Sequence, residues 1–269
     1  MPVTSSRDAR LRYELRGEGP PVVLLPPAGT GGSIWTLHQA PALQHAGYQT
    51  VTVDFRETSP ATTQSDHPVR ISNLVTDVAE LIGTLEIAPC RVIGASLGAM
   101  VTQELALAHP DLVISTALLG TRCRTDFTRA AWARASAAHL RTENGAPRSD
   151  YDAIASLMQL FSSRTLSDEK AMEEWITLFR SLPVRSPGSA EQYEASIIPD
   201  RTAALRSMTR PSLVIGFDSD LLTPPDLCKE VAEAIPRSRY TEVAGCGHFG
   251  FLEEPEVVNS ELIKFFAEN

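Results

Sequence analysis

Short apolar runs alternate with longer segments of helical periodicity along most of this chain. Runs of four to seven apolar or β-branched residues, bounded by Gly, Pro or charged residues, are typical of strands buried on both faces of a parallel sheet. A stretch near the start, 11–15, instead alternates in polarity and predicts an edge strand. The pattern predicts strands at 11–15, 22–25, 50–53, 91–93, 113–119, 212–216 and 239–243.

Helical periodicity is clearest from Ile71 to Leu85, where apolar residues recur every three or four positions over four turns. Further helices are predicted at 35–46, 100–109, 225–235 and 256–267. Strands that alternate with helices imply a mostly parallel sheet with helices on both faces. The expected fold class is therefore α/β.

This alternation lapses between residues 122 and 208. The segment contains no β-rich run, and amphipathic patterns predict helices at 130–140, 151–161 and 168–182, separated by Gly145–Pro147 and Pro183–Gly188. We interpret 122–208 as a helical lid inserted over the strand ends. The expected core then comprises 1–121 and 209–269.

Composition narrows the classes of function. The chain has 269 residues, of which 43% are hydrophobic, so it can bury the core of one domain. No apolar run approaches the roughly 20 residues of a membrane span, and the polar start lacks the apolar region of a signal peptide, so we expect a cytoplasmic protein. A net charge of −9 argues against nucleic acid or an anionic membrane as partner.

The four cysteines are scattered, with no C-x-x-C pair and no histidine at ligand spacing. Neither a zinc site nor a disulfide framework is indicated, so we expect free, buried thiols. The loop at 26–32 is rich in Gly but lacks the Lys-Ser/Thr of a phosphate-binding loop. We expect neither a metal nor a cofactor.

The candidate chemistry centres on Gly94 to Gly98, which reads Gly-Ala-Ser-Leu-Gly. A G-x-S-x-G turn between a buried strand and a helix forces its serine into a strained conformation, so its neighbours must be small. Here the context is right, because the strand at 91–93 precedes it and an Ala-rich helix follows. Ser96 is therefore a candidate nucleophile, although a serine between two glycines also occurs in ordinary turns.

A serine hydroxyl needs a base, and that base needs an orienting group. His248 follows the strand predicted at 239–243, and Asp218 and Asp220 follow the one at 212–216. Because these loops and that of Ser96 leave the carboxyl ends of parallel strands, the side chains should converge. The chain order Ser, Asp, His matches hydrolases of this type.

These segments resemble the α/β-hydrolase fold, in particular its single-domain esterases, lactonases and cofactor-free haloperoxidase-like enzymes. The resemblance rests on 13–27, 54–56, the Gly-Ala-Ser-Leu-Gly turn, 216–225 and 245–255, and only the lid is unplaced. In that family the triad acid precedes x-x-Thr-Pro, which selects Asp220 over Asp218. The resemblance thus implies a triad of Ser96, His248 and Asp220.

Two segments depart from the family pattern. Where the family has His-Gly-x, with an oxyanion-hole N–H on x, this chain has Pro26, Pro27 and Ala28. The implied donors are the amides of Ala28 and Leu97, on a loop stiffened by proline. The family's Asp-x-Arg-Gly-x-Gly-x-Ser is replaced by Asp-Phe-Arg-Glu-Thr-Ser at 54–59.

The favoured function is hydrolysis of an ester, lactone or thioester of a small molecule through a Ser96 acyl-enzyme. Two alternatives stay open: an acyltransferase or thioesterase of a biosynthetic pathway, which would use the same acyl-enzyme, and a non-catalytic ligand binder. The partner is a small-molecule acyl substrate, free or carrier-bound. Apolar side chains predicted to line the pocket are Trp35, Phe127, Met158, Trp175 and Phe249.

Arginines after the elbow helix could also meet an anionic substrate. Arg122, Arg124 and Arg129 are the candidates. On exposed helices, however, such residues usually form a solvated face.

Overall fold

The computed structural model describes residues 3–5, 10–56, 69–143, 149–181 and 188–269. Eight strands form one sheet in the order β1-β2-β4-β3-β5-β6-β7-β8. The strands are β1 Val3–Ser5, β2 Arg10–Arg16, β3 Pro21–Leu25, β4 Gln49–Asp54, β5 Cys90–Ala95, β6 Val113–Leu119, β7 Ser212–Phe217 and β8 Ser238–Val243.

The sheet is parallel from β4 through β8, and only the pairs β1–β2 and β2–β4 are antiparallel. In its centre, Val23 of β3 is paired with Val51 on one side and Val92 on the other. The stretch predicted as an edge strand is β2. It is not at the edge, because β1 pairs with its outer side.

Apolar clusters lie on both faces of the sheet, which is why its central strands are continuous apolar runs. The flanking helices are α1 Gln39–His45, α2 Ile71–Thr84, α3 Leu97–Ala108, α10 Pro225–Ala234 and α12 Pro255–Glu268, and a short helix, α11 Gly250–Glu253, precedes the last. One cluster includes side chains of α2, α3 and α10, and the other includes side chains of α1 and α12.

The helix predicted at 35–46 is divided in two. A 3-10 helix covers Gly32–Thr36, and α1 begins only at Gln39. Pro41 explains the break, because in one continuous helix it would remove a hydrogen bond and clash with the preceding turn. In α1 it lies in the first turn, where its missing N–H costs nothing.

Helices occupy the segment between β6 and β7. The helices are α4 Phe127–Glu143, α5 Asp150–Leu160, α6 Ser163–Leu166, α7 Glu169–Ser181, α8 Gly188–Ala195 and α9 Thr202–Leu205. Helices α4, α5 and α7 correspond to the predicted ones, whereas the shorter α6, α8 and α9 were not predicted. Parts of three predicted loops lie outside the described residues. They are the break at Gly145–Pro147, residues 183–187 of the break at Pro183–Gly188, and residues 57–60.

In the part of the chain that the structure describes, no helix combines the length and apolar character needed to cross a membrane. The four cysteines are buried and free, as predicted.

Candidate active site

Ser96 lies at the turn between β5 and α3. Its backbone has φ 52° and ψ −114°, in the region that side-chain-bearing residues rarely adopt. Its N–H donates to the carbonyl of Leu119 at the end of β6, at 2.9 Å. Strand, strained turn and helix therefore form the sharp turn that the sequence predicted at Gly94 to Gly98, with the serine half-buried at its apex.

Gly98 allows α3 to approach β3. A Cβ at this position would lie 2.2 Å from the carbonyl oxygen of Leu25, a distance that real side chains do not tolerate. The start of α3 is thereby held against the carboxyl end of β3. The same Cβ would lie 2.8 Å from the carbonyl oxygen of Pro26, so the start of α3 also lies close to the loop that carries Ala28.

His248 and Asp220 form a buried pair. His248 Nδ1 donates to Asp220 Oδ2 at 2.7 Å, and the two residues are 4% and 3% exposed. Thr223 Oγ1 donates to the same carboxylate oxygen at 2.7 Å. Asp220 Oδ1 accepts from the amides of Leu222 and Thr223 at 2.7 and 2.9 Å. Both carboxylate oxygens are thus satisfied, which fixes the imidazole on one side.

Opposing effects set the pKa of Asp220. Burial would raise it, but the charge of His248, its hydrogen bond and those from Thr223 outweigh burial, so the pKa lies below its usual value. Asp220 is consequently ionised at neutral pH. An ionised carboxylate accepts hydrogen bonds, so Nδ1 of His248 carries the proton that it donates to Asp220, and in the neutral form of the ring Nε2 is the nitrogen without a proton.

Asp218 has a different role from Asp220. Its Oδ1 accepts from the amide of Cys246 at 3.2 Å and from the hydroxyl of Ser219 at 3.0 Å, and the residue is exposed. Asp218 therefore fastens the loop after β7 to the loop after β8. Of the two candidate acids, the structure places Asp220 against the imidazole.

The loop of His248 is anchored to the lid by Glu253. Its carboxylate accepts from the amide of Gly247 at 2.6 Å and from the hydroxyl of Ser162 at 2.6 Å. The amide of Phe249 donates to the carbonyl of Leu160 at 2.8 Å. Sequence reasoning assigned Glu253 no role, since nothing in its local pattern indicates a bond to a segment 91 positions away.

The loop after β3 is held by the lid from the other side. The amide of Gly29 donates to Gln192 Oε1 at 2.9 Å, and the amide of Thr30 donates to the carbonyl of Pro27 at 3.3 Å. Within the described ranges, neither the Ala28 nor the Leu97 amide has a hydrogen-bond acceptor in the protein. In this part of the chain, both N–H groups are therefore left unpaired by the protein.

Gln192 also contacts Arg56, the last described residue of the altered segment after β4. Its Nε2 donates to the carbonyl of Arg56 at 3.0 Å, and its side chain is fully buried. The Arg56 guanidinium forms a buried ion pair with Asp77 of α2. One glutamine on α8 therefore binds the loops after β3 and β4 together.

A cavity of about 270 Å³ opens beside Ser96. Its wall is formed by loops after the strands and by lid helices α4, α5 and α8. The lining includes Ala28, Ser96, Arg122, Trp132, Gln159 and Tyr193. A concave site of this size with few polar groups suits a small ligand.

Comparison with known proteins decides the family. The model of the alpha/beta hydrolase family matches residues 22–261, almost the whole chain. The chain belongs to the alpha/beta hydrolase family. The predictions of this fold class and of an enzyme of this class are confirmed.

Relatives within the family carry different activities in their names. BpoC of Mycobacterium tuberculosis, named as a candidate non-heme bromoperoxidase, is 41% identical over 258 residues, covering 96% of this chain and 97% of BpoC. Its crystal structure superposes with a TM-score of 0.89, covering 96% of each chain. An enol-lactonase from Burkholderia xenovorans is 26% identical, with a TM-score of 0.86, and covers 99% of this chain and 100% of its own.

None of the five side chains predicted to line the pocket lies on the cavity of this hydrolase. Trp35 is fully buried and packs on Phe251 at a ring-centroid distance of 5.0 Å. Trp175 packs on Phe161 at 4.8 Å, inside the lid. These rings pack within the protein and stabilise it instead. An apolar pattern indicates which side chains are buried, but not which of them border a cavity.

The other predicted pocket side chains lie on the surface or in the core. Phe127 is 86% exposed and Met158 is 61% exposed. Phe249 is buried in the apolar cluster behind His248. Trp132, which was not predicted, lines the cavity instead of its neighbour on α4, Phe127.

The arginines after β6 agree only in part with the solvated face that the sequence suggested. Arg124 is exposed and paired with Glu230, in agreement with that interpretation. Arg122, in contrast, is buried and lines the cavity with Ser96.

Proposed function

We propose that this protein hydrolyses an ester, lactone or thioester of a small molecule through an acyl-enzyme on Ser96. The observation that carries the proposal is the buried hydrogen bond of 2.7 Å between His248 and Asp220, on loops at the strand end where Ser96 lies in a strained elbow. A structural role alone would not require an ionised carboxylate to orient a buried imidazole.

In the first half of the reaction, the Ser96 hydroxyl oxygen attacks the substrate's carbonyl carbon. Its proton passes to His248 Nε2, the nitrogen left basic by the bond from Nδ1 to Asp220. Collapse of the tetrahedral intermediate breaks the bond to the leaving group, which takes that proton. In the second half, water gives a proton to Nε2 and attacks the acyl carbon. The bond to the Ser96 oxygen then breaks, that oxygen takes the proton back from Nε2, and the acid is released.

The amides of Ala28 and Leu97 are the proposed oxyanion donors. Neither has an acceptor among the described protein residues, and Leu97 is the first residue of α3, where the N–H groups of a helix are unpaired. Pro27 and the bond from Gly29 to Gln192 hold the Ala28 loop before substrate binds. Donors fixed in advance stabilise the transition state without reorganisation.

The test is turnover of an ester and lactone panel by the wild type and by Ser96→Ala. Loss of the nucleophile should lower kcat by about 10³-fold or more, with unchanged unfolding behaviour, because alanine fits the crowded elbow. Ser219→Ala, which removes an exposed serine near Asp220, is the matched control and should retain turnover. Near-normal turnover by Ser96→Ala would overturn the acyl-enzyme proposal.

The 41% identity with BpoC favours a second candidate reaction, in which hydrogen peroxide replaces water in the second half. A carboxylic acid would form the acyl-enzyme with loss of water, and hydrogen peroxide would release it as a peroxy acid. The peroxy acid then transfers its terminal oxygen to bromide, which is oxidised to hypobromous acid while the carboxylate is regenerated. Bromination of a dye that requires a carboxylic acid, peroxide and Ser96 would support this reaction. Bromination that persists in Ser96→Ala would argue against it.

A further inference from the structure

Arg122 follows β6 and reaches the wall of the Ser96 cavity. Only 6% of the residue is exposed, although arginine is rarely buried without a partner. Its Nη2 donates to the backbone carbonyl of Ser196 at 2.9 Å. Its Nε is fully buried and has no hydrogen-bond partner, and nothing in the described part of the chain accepts from Nη1.

The two neighbouring arginines are neutralised by the protein. Arg124 forms a bidentate ion pair with the carboxylate of Glu230. Arg129 pairs with Asp126 and also donates to the carbonyls of Leu221 and Leu222. Arg122 has no carboxylate partner among the described residues. It is thus a cation on the cavity wall whose charge the protein leaves unpaired.

The charge of Arg122 persists at neutral pH. Burial lowers its pKa to about 10, with a further lowering by Arg129 that the carboxylates of Asp126 and Asp220 oppose. A buried cation without a carboxylate in direct contact costs stability, and a bound anion would remove part of that cost. Its planar guanidinium matches a carboxylate group in shape and in donor spacing.

We propose that Arg122 is a specificity residue that binds a carboxylate group carried by the substrate in addition to its scissile acyl bond. The preferred substrates are then half-esters and related acyl compounds of dicarboxylic acids. The inference rests on the proposed function, since it assigns the substrate class of the same Ser96 site.

Two more polar side chains could complete a carboxylate subsite. Gln159 and Tyr193 bring an amide and a hydroxyl to the cavity that Arg122 lines. Within the described ranges, neither side chain forms a hydrogen bond to the protein. The cavity therefore offers unpaired donors together with an unpaired positive charge.

The kinetic test compares two substrates of nearly equal shape, p-nitrophenyl hydrogen adipate and its neutral methyl ester, after subtraction of the rate without enzyme. The wild type should prefer the anionic ester in kcat/KM. Arg122→Met should lower that preference roughly 30-fold or more, because a hydrogen bond to a charged group is lost. The ratio of the two substrates within one variant cancels any effect of Arg122 on Asp220 and His248.

Arg124→Met is the matched control, since it removes the same charge two residues away at an exposed position. It should leave the preference unchanged. Two results would contradict the proposal: Arg122→Met slows both esters equally, or the wild type favours the neutral ester as strongly as the variant does. Either result would mean that Arg122 only connects β6 to the lid.

A binding measurement separates this inference from the proposed function. In the Ser96→Ala background, adipate should bind in calorimetry and raise Tm, and the additional Arg122→Met substitution should abolish both effects. Adipate binding without any ester turnover would sustain the carboxylate subsite while the hydrolase proposal falls. Turnover of neutral esters without adipate binding would sustain the hydrolase proposal while the carboxylate subsite falls.

Discussion

At the scale of single residues, two aspartates two positions apart have different surroundings. Asp220 is buried and accepts from His248, Thr223 and two amides, whereas Asp218 is exposed and binds a loop amide. Both aspartates follow β7, so position in the chain did not distinguish the acid that contacts the imidazole. The Thr-Pro that follows Asp220 did distinguish it, and Thr223 of that pair donates a hydrogen bond to the Asp220 carboxylate.

The first prediction concerns these two residues. Asp220→Asn should lower kcat by about 10³- to 10⁴-fold, since an amide favours the wrong imidazole tautomer. Asp218→Asn should cost less than tenfold, roughly the effect of loosening one loop contact. Steady-state kinetics of both variants provide the measurement. Equal losses in the two variants would mean that Asp220 does not orient the catalytic base.

A second prediction follows from the pKa of Asp220. Because its folded pKa lies below the ordinary 3.8, the unfolded chain takes up this proton first as pH falls. The stabilisation is therefore complete above the unfolded pKa and is lost as pH decreases through the folded pKa. The stabilisation that the wild type gains over Asp220→Asn from this ionised carboxylate should be present above about pH 4 and shrink below it. Urea denaturation at several pH values checks it, and a pH-independent difference would contradict it.

At the scale of elements, the elbow depends on the approach of α3 to β3. Gly98 and Gly83 are both helical glycines, but their surroundings differ. A Cβ at Gly98 would lie 2.2 Å from the Leu25 carbonyl oxygen, whereas one at Gly83 would meet no atom within 4 Å. The two positions therefore form a matched pair of glycine substitutions.

The third prediction uses this pair. Gly98→Ala should destabilise the protein by about 3 kcal/mol, because the added methyl group separates α3 from β3. Gly83→Ala should stabilise it by about 0.5 to 1 kcal/mol, since alanine loses less entropy in a helix. Urea denaturation of both variants is the measurement. A neutral Gly98→Ala would show that the contact with Leu25 does not constrain the elbow.

The elements themselves were largely predictable from sequence, because buried parallel strands and the α2 periodicity give strong one-dimensional patterns. The exceptions have physical causes. Pro41 divided a helix that the apolar pattern had joined, and β1 moved the sheet edge outward. The eight-residue α8 carries no long apolar stripe, so its sequence gave little sign of a helix.

At the scale of the whole molecule, lid and core are joined at the site itself. Gln192 of α8 holds the loops after β3 and β4, and Glu253 joins the His248 loop to Ser162. Both side chains act between segments distant in sequence. That the loops of Ser96, Asp220 and His248 lie at one end of the sheet could be predicted, because parallel strands bring their carboxyl ends together. The cross-links through Gln192 and Glu253 and the burial of Arg122 depend on tertiary packing, which no local pattern encodes.

The fourth prediction tests the link through Gln192. Gln192→Ala should speed hydrogen exchange at the amides of 28–31 and destabilise the fold by about 1 to 3 kcal/mol, because buried polar groups lose their partner. Glu194→Ala, on the same helix, removes only an exposed pair with Arg141 and should change stability by less than about 0.5 kcal/mol. Unchanged exchange in Gln192→Ala would mean that the lid does not hold the loop after β3.

The most direct test of the central claim is mass spectrometry of the protein after reaction with a fluorophosphonate, followed by peptide mapping. An activated Ser96 should gain one covalent adduct, Ser96→Ala should gain none, and His248→Ala should react much more slowly because the hydroxyl has lost its base. An unmodified Ser96 in a folded wild-type protein, or equal labelling with and without His248, would contradict the account.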